Sequence, residues 1–289
     1  MSDSLSVALS PALPPALSPA VRRPGTSPGR VAAGAHTAVT DAPDTLYARG
    51  GATPGGFRFD AEVATVFADM IVRSVPGYAE TVAMTGWLAG RFAVDDSCIH
   101  DLGCSLGASL FACARAAAGR DVAVIGVDAS APMIERCRER LAGLGLPRTP
   151  QLVCADIRDF PLRRSSFVAL NWTLQFVPEA DRARLLGRIH AALVPGGAVL
   201  LSEKIIDPDP RAQALLEALH LDFKRAQGYS ELEIAAKRSA IEEVLVPETL
   251  QAHERRLAGA GFAPVTCIAR TLNFASLLAV KPRVGGRSR

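Results

Sequence analysis

The chain has 289 residues, of which 49% are hydrophobic and 21% charged, enough for one sizeable α/β core with a smaller appendage. Its 32 basic and 29 acidic residues leave a formal charge of +3 and are spread along the sequence, which excludes the basic stripe of a nucleic-acid groove. No apolar run reaches the ~18 residues of a membrane span, and the six cysteines (98, 104, 113, 137, 154 and 267) form no Cys-x-x-Cys pair, which fits reduced, buried thiols in a cytoplasmic protein.

Residues 1–56 are rich in Pro, Ala, Ser and Gly, carry Arg22, Arg23 and Arg30 with few acids, and have no hydrophobic period. They offer too little apolar surface to offset the entropy of ordering, so a disordered N-terminal extension is expected. The Ser-Pro and Pro-Pro-Ala repeats argue against the amphipathic helix of a transit peptide. The main domain is expected over 57–283, with 284–289 as a disordered tail.

From Phe59 the pattern changes. Val63, Val66, Phe67, Met70 and Ile71 recur at helical spacing behind an Asp60 cap, Ser74-Val-Pro-Gly-Tyr78 breaks that helix, and residues 79–92 resume with Val82, Trp87, Leu88 and Phe92. Strands follow at 98–103, 122–128, 151–155, 166–172 and 198–203, separated by helices near 106–118, 131–144 and 179–193. This alternation predicts a mostly parallel, doubly wound α/β sheet.

The first strand runs into Asp101-Leu-Gly-Cys-Ser-Leu-Gly107, a glycine turn before a helix expected to begin near Leu106. Gly103 and Gly107 leave room for a ligand, and the next strand ends in Asp128, about 20 residues on, where an acid can accept ribose hydroxyls. The middle glycine of a dinucleotide turn is replaced by Ser105 and the third is absent, which disfavours a pyrophosphate. The pattern Asp-x-Gly-x-x-x-Gly resembles motif I of the S-adenosylmethionine-dependent methyltransferase fold. Two further polar residues end predicted strands. Asp156, followed by Ile157, can accept an adenine amino group or simply cap a turn, and Asn171 is either a ligand contact or a satisfied core amide.

After the fifth strand, residues 207–246 read as two inserted helices, a candidate lid over the carboxyl edge. Leu215, Leu216, Leu219 and Phe223 mark a face of the first, Gln227-Gly-Tyr229 is a turn, and Ser230-Glu-Leu-Glu233 is a capping box. In the second helix Ile234, Ile241 and Leu245 form an apolar stripe. Arg238 is expected on that stripe, either snorkelling or meeting a carboxylate, with Lys237 and Arg225 as solvated neighbours. A helix near 248–258 and two runs, 264–270 and 273–280, end the domain as an antiparallel pair.

Several strings together resemble the carboxy-S-adenosyl-L-methionine synthase family: Phe67-Ala-Asp-Met-Ile-Val-Arg-Ser-Val-Pro-Gly-Tyr78, motif I, Pro132-Met-Ile-Glu-Arg-Cys137, Asn171-Trp-Thr-Leu-Gln-Phe176, Leu201-Ser-Glu-Lys204, Asp222-Phe-Lys-Arg-Ala-Gln-Gly-Tyr-Ser-Glu-Leu-Glu-Ile234 and Lys237-Arg-Ser239. The resemblance spans about Phe59 to Lys281. It implies a seven-stranded, Rossmann-type methyltransferase fold with a helical lid, and S-adenosylmethionine held by Tyr78, Gly103, Cys104, Ser105, Asp128, Ala129, Asp156, Ile157 and Asn171. It also implies that Arg238, reaching in from a second subunit of a homodimer, holds the carboxylate on the modified methyl group. The implied reaction takes CO2 from prephenate, releases phenylpyruvate and joins the CO2 to the sulfonium methyl, supplying a separate tRNA carboxymethyltransferase that modifies the wobble uridine. No metal or protein nucleophile is required, and no histidine stands out as a base. His100 lies in the first strand, His190 and His253 on helices, and His220 on the lid. A conventional methyltransferase acting on a small acidic substrate and a non-catalytic S-adenosylmethionine-binding scaffold remain as alternatives.

Overall fold

The computed structural model describes residues 42–46, 58–242 and 244–283. The expected disorder of 1–41, 47–56 and 284–289 therefore lies outside the described residues. Two helices, α1 (Ala61–Ser74) and α2 (Tyr78–Phe92), precede the sheet. Asp60 caps α1 as expected, accepting from the Val63 N–H at 3.0 Å. The Pro76-Gly77 turn separates the two helices, with Gly77 in the left-handed region at φ 77°.

The sheet is built from β1 (Ser97–Leu102), β2 (Val122–Asp128), β3 (Gln151–Cys154), β4 (Ser165–Asn171), β5 (Leu193–Ile206), β7 (Val265–Thr271) and β8 (Phe274–Val280), in the order β3-β2-β1-β4-β5-β8-β7. The first five strands are parallel, and β8 and β7 add antiparallel at one edge, so the expected doubly wound sheet is present. A two-residue strand, β6 (Glu248–Thr249), pairs beside the end of β5. Side chains of the parallel strands alternate between the two faces of the sheet, each covered by helices, which is why the strands read as continuous apolar runs. Leu102, Ile125, Val168 and Leu201 pack toward α5 (Glu179–Ala192) and α8 (Leu250–Gly259). Ile99, Val124, Phe167 and Leu200 pack toward α2, α3 (Ala108–Ala116) and α4 (Ala131–Ala142).

The lid comprises α6 (Pro210–Ala226) and α7 (Glu231–Glu242). The expected capping box is present: Ser230 N–H donates to Glu233 Oε2 at 2.8 Å, and Glu233 N–H donates to Ser230 Oγ at 3.3 Å. Half of the apolar face expected on α6 turns outward. Leu215 and Leu219 are 61% and 40% exposed, while His220 is buried and Gln213, Leu216, Phe223 and Lys224 are partly buried. Trp87 of α2 is likewise exposed, at 67%. These side chains satisfy helical spacing without meeting the core.

Candidate active site

The turn after β1 is tied to β2 through the backbone. The N–H groups of Gly103 and Cys104 both donate to the Val127 carbonyl, at 2.7 and 3.1 Å. Gly103 has φ 79°, and a Cβ there would lie 2.2 Å from Thr173 Oγ1, so only glycine lets this turn and the loop after β4 approach each other. The helix begins at Ala108 rather than Leu106. Ser105 at φ 48° and Gly107 at φ 86° keep the intervening residues in a turn.

Asp128 closes that turn. Its Oδ2 accepts the Ser105 N–H and its Oδ1 accepts the Ser130 N–H, both at 2.9 Å. Each carboxylate oxygen keeps a second lone pair for a ribose hydroxyl. Ser130 also caps α4 and donates to the Phe59 carbonyl at 2.5 Å, drawing the segment before α1 over this edge.

Asp101, at the end of β1, received no role from the sequence beyond its place in the motif. It is 2% exposed, and its Oδ2 has no hydrogen-bond partner. Burial, and then the charge of Asp128, push its carboxyl up to about 7. An unpartnered buried carboxylate oxygen is the counterpart of an ammonium group. Burial and then the charge of Asp101 push the Tyr78 phenol up to about 12, and its ring packs at 5.2 Å from that of Trp172, a residue held at φ 52°. Asn171 is buried. Its Nδ2 donates to Thr85 Oγ1 and Ser109 Oγ, both at 3.0 Å, while its Oδ1 has no partner. The amide is thus half satisfied by the core, with one acceptor left over.

The remaining expected residues are placed differently. Asp156 is clasped by Arg158, whose Nε lies 2.9 Å and Nη2 2.6 Å from Oδ2, and this hydrogen bonding lowers the Asp156 carboxyl below its usual range. A ligand amino group would therefore share that carboxylate with a guanidinium. Ile157 is buried beside it. Cys104 is buried too, its thiol pushed well up by Cys137 and by burial; its N–H is taken by Val127 and its carbonyl accepts the Gly107 N–H at 2.8 Å, which leaves a ligand only that carbonyl's second lone pair. Ala129 is exposed at the end of β2.

Two buried ionisable side chains hold the loop after β4. Glu203, fully buried on β5, accepts the N–H groups of Thr173, Leu174 and Gln175 at 3.2, 2.8 and 3.1 Å. Burial pushes its carboxyl up to about 8 against those hydrogen bonds. Arg182, also fully buried, donates to the carbonyls of Val177, Gln175 and Val246 and pairs with Glu248, joining this loop to the chain leaving the lid. An acid two residues past the apolar run Ala198-Val-Leu-Leu201, still within β5, was the available sequence signal for Glu203.

On α7 the inward face runs through Ile234, Lys237 and Ala240, and Arg238 is exposed. The expected roles of the two cations are therefore reversed. Positions i+3 and i+4 flank the same stripe, and an anion decides between them. That anion is Asp44, 3% exposed, whose Oδ2 accepts from Lys237 Nζ at 3.2 Å and from the Tyr229 hydroxyl at 2.5 Å. Lys237 also donates to Ser74 Oγ at 2.8 Å, and Arg73 stacks 3.8 Å over the Tyr229 ring. Residues 42–46, within the stretch expected to lack order, thus dock between α1 and α7 through Asp44.

Tyr78, Gly103, Ser105, Asp128 and Asn171 converge at the carboxyl ends of β1, β2 and β4, where a doubly wound sheet binds ligands. This arrangement defines a methyltransferase-fold protein. A methyltransferase-domain family model matches residues 99–197. An O-methyltransferase family protein of Burkholderia thailandensis superposes with a TM-score of 0.57 at 18% identity, covering 78% of this chain and 61% of that one. Human N-acetylserotonin methyltransferase in complex with SAM superposes at 0.53 and 17%, covering 77% and 55%. Sequence relatives narrow the class. A carboxy-S-adenosyl-L-methionine synthase of Shewanella sp. (strain MR-7) is 47% identical over 238 residues, 82% of this chain and 98% of the relative. Another, of Shewanella amazonensis, is 48% identical over 243 residues, 84% of this chain and 100% of the relative. The chain belongs to the carboxy-S-adenosyl-L-methionine synthase family.

Proposed function

We propose that the protein converts S-adenosylmethionine and prephenate to carboxy-S-adenosylmethionine and phenylpyruvate. The observation that carries this reading is membership, over nearly the full length of the relatives, in a family of enzymes named for that product. The site fits the substrate's charged tail. The unpartnered Asp101 Oδ2 suits the ammonium, with Tyr78 and Asn171 Oδ1 nearby, and Asp128 suits the ribose.

The reaction balances without a protein nucleophile. Prephenate loses its ring carboxyl as CO2 and its ring hydroxyl as hydroxide. The sulfonium methyl gives up a proton to that hydroxide, forming water, and the methyl carbon bonds to CO2. The protein's part is to exclude water, orient the two substrates and stabilise the carboxylate that forms. Arg238 is assigned the last task. Because it is exposed within one chain, the assignment includes a homodimer in which Arg238 serves the partner's site. The outward Leu215, Leu219 and Leu232 on the lid support such a contact. The product would supply a carboxymethyltransferase acting on tRNA wobble uridine, and this chain itself need not touch the RNA.

The test is mass spectrometry of the nucleoside product after incubation with both substrates. A species heavier than S-adenosylmethionine by CO2 supports the reading. A conventional methyltransferase would yield the demethylated nucleoside, and a scaffold would leave both substrates unchanged.

A further inference from the structure

Lys224 lies on α6 one turn beyond His220, on the same inward face. His220 fixes where that face points. Its Nε2 is 2.9 Å from the Ser74 carbonyl oxygen, and its ring meets Phe274 edge-on at 5.2 Å. Phe274 is the cross-strand partner of Lys204 on β5, and Ser74 Oγ accepts from Lys237. Lys204, Lys224 and Lys237 therefore approach one region, the turn just before Tyr78.

Lys237 is matched by Asp44. Lys224 is not matched: among the described residues no hydrogen bond or ion pair reaches its ammonium. Burial pushes it down to about 8, helped by the like charges of Lys237, Lys204 and Arg238. His220 beside it is held neutral, pushed down to about 4 by burial and by Lys224. A partly buried ammonium among other cations is stabilised by an anion that the fold does not supply.

We propose that Lys224, with Lys204 beside it, forms a carboxylate-binding subsite on the inner face of the lid for the small dianionic co-substrate. The identity of that co-substrate rests on the reading given under Proposed function; the existence of the subsite does not. The subsite divides the work between two cations. Lys224 anchors a carboxylate that the co-substrate brings, and Arg238 receives the carboxylate that is made.

The test titrates the full chain, loaded with S-adenosylhomocysteine, with malonate as a bare dicarboxylate and separately with prephenate. Parent, Lys224→Met and Lys224→Arg proteins are compared, with melting temperature as the control for folding. Loss of a charge-assisted hydrogen bond should weaken both anions about tenfold or more in Lys224→Met, with S-adenosylhomocysteine affinity within about twofold of the parent. Lys224→Arg should retain most of the anion affinity. Malonate binding that depends on Lys224, without any prephenate binding by the parent, sustains the subsite and overturns prephenate as its occupant. Unchanged affinities in a folded Lys224→Met protein, or no binding of either anion by the parent, overturn the subsite. If Lys224→Met does not fold, acetylation of Lys224 in the parent decides the matter: protection by malonate sustains the proposal, and its absence overturns it.

Discussion

Lys237 Nζ lies 3.2 Å from Asp44 Oδ2 across 193 residues of sequence, with side chains only 6% and 1% exposed. Removing one member of a buried pair strands the other, at a cost of about 3–5 kcal/mol. Lys237→Met is therefore expected to destabilise the fold by an amount of this order and to speed amide exchange over residues 231–242. Denaturant unfolding and hydrogen-exchange mass spectrometry check this. A Lys237→Met protein with parental stability and exchange would contradict the role given to the pair.

Asp101→Asn separates binding from stability. The Asp101 carboxyl stands at about 7 in the fold against an ordinary value of 3.8. Between those values the unfolded chain has released a proton that the folded chain still holds, so this residue lowers stability as pH rises from 3.8 to 7, and the loss is then constant. The neutral amide has no such penalty. Asp101→Asn should melt above the parent at pH ~7.5, with the gap opening by at most about 1.4 kcal/mol per pH unit through the acid range. The same change should weaken S-adenosylmethionine binding. Melting curves against pH and calorimetric titration test the two halves, and lower stability of the variant at neutral pH would count against the orphaned carboxylate.

Gly103→Ala and Gly119→Ala share a left-handed backbone, at φ 79° and 89°, but differ in surroundings. Nothing lies within 4 Å of a Cβ at Gly119, whereas one at Gly103 meets Thr173 Oγ1 at 2.2 Å. Gly119→Ala should show only the backbone penalty, about 1–2 kcal/mol, and leave ligand binding intact. Gly103→Ala should lose more stability and most S-adenosylmethionine affinity. Equal behaviour of the two variants would remove the steric argument for the turn.

Much of this architecture is legible in the sequence because parallel strands buried on both faces leave uninterrupted apolar runs, and because Asp60, Ser230 and Glu233 announce helix starts by local chemistry. Part of what escaped depends on partners distant in sequence. The choice of Lys237 over Arg238 for the inner face of α7 turns on Asp44, which sits in a Pro- and Gly-rich stretch with no period to advertise it. The polar inner face of α6 was hidden because Leu215 and Leu219 have helical spacing yet point outward. Asp156 lies two residues past the end of β3, and a local partner, Arg158, occupies it. The start of β5 at Leu193 was missed because Pro195-Gly196-Gly197 reads as a turn, whereas here it lies within the strand at a register shift against β4.

If Arg238 acts on the partner's site, two defective proteins should complement each other. Arg238→Ala and Asp101→Asn chains are each expected to be nearly inactive alone. Mixed dimers contain one site with an intact Asp101 facing an intact Arg238, so activity should return on subunit exchange. Turnover of the mixture, against each variant alone, decides between action in trans and action within one chain, where no recovery occurs.

The most direct measurement incubates the full-length protein with S-adenosylmethionine and prephenate labelled with carbon-13 in its ring carboxyl, then weighs the nucleoside product. Carboxy-S-adenosylmethionine carrying the label is expected, with phenylpyruvate formed in equal amount. Unlabelled or demethylated nucleoside, with prephenate left intact, would contradict it.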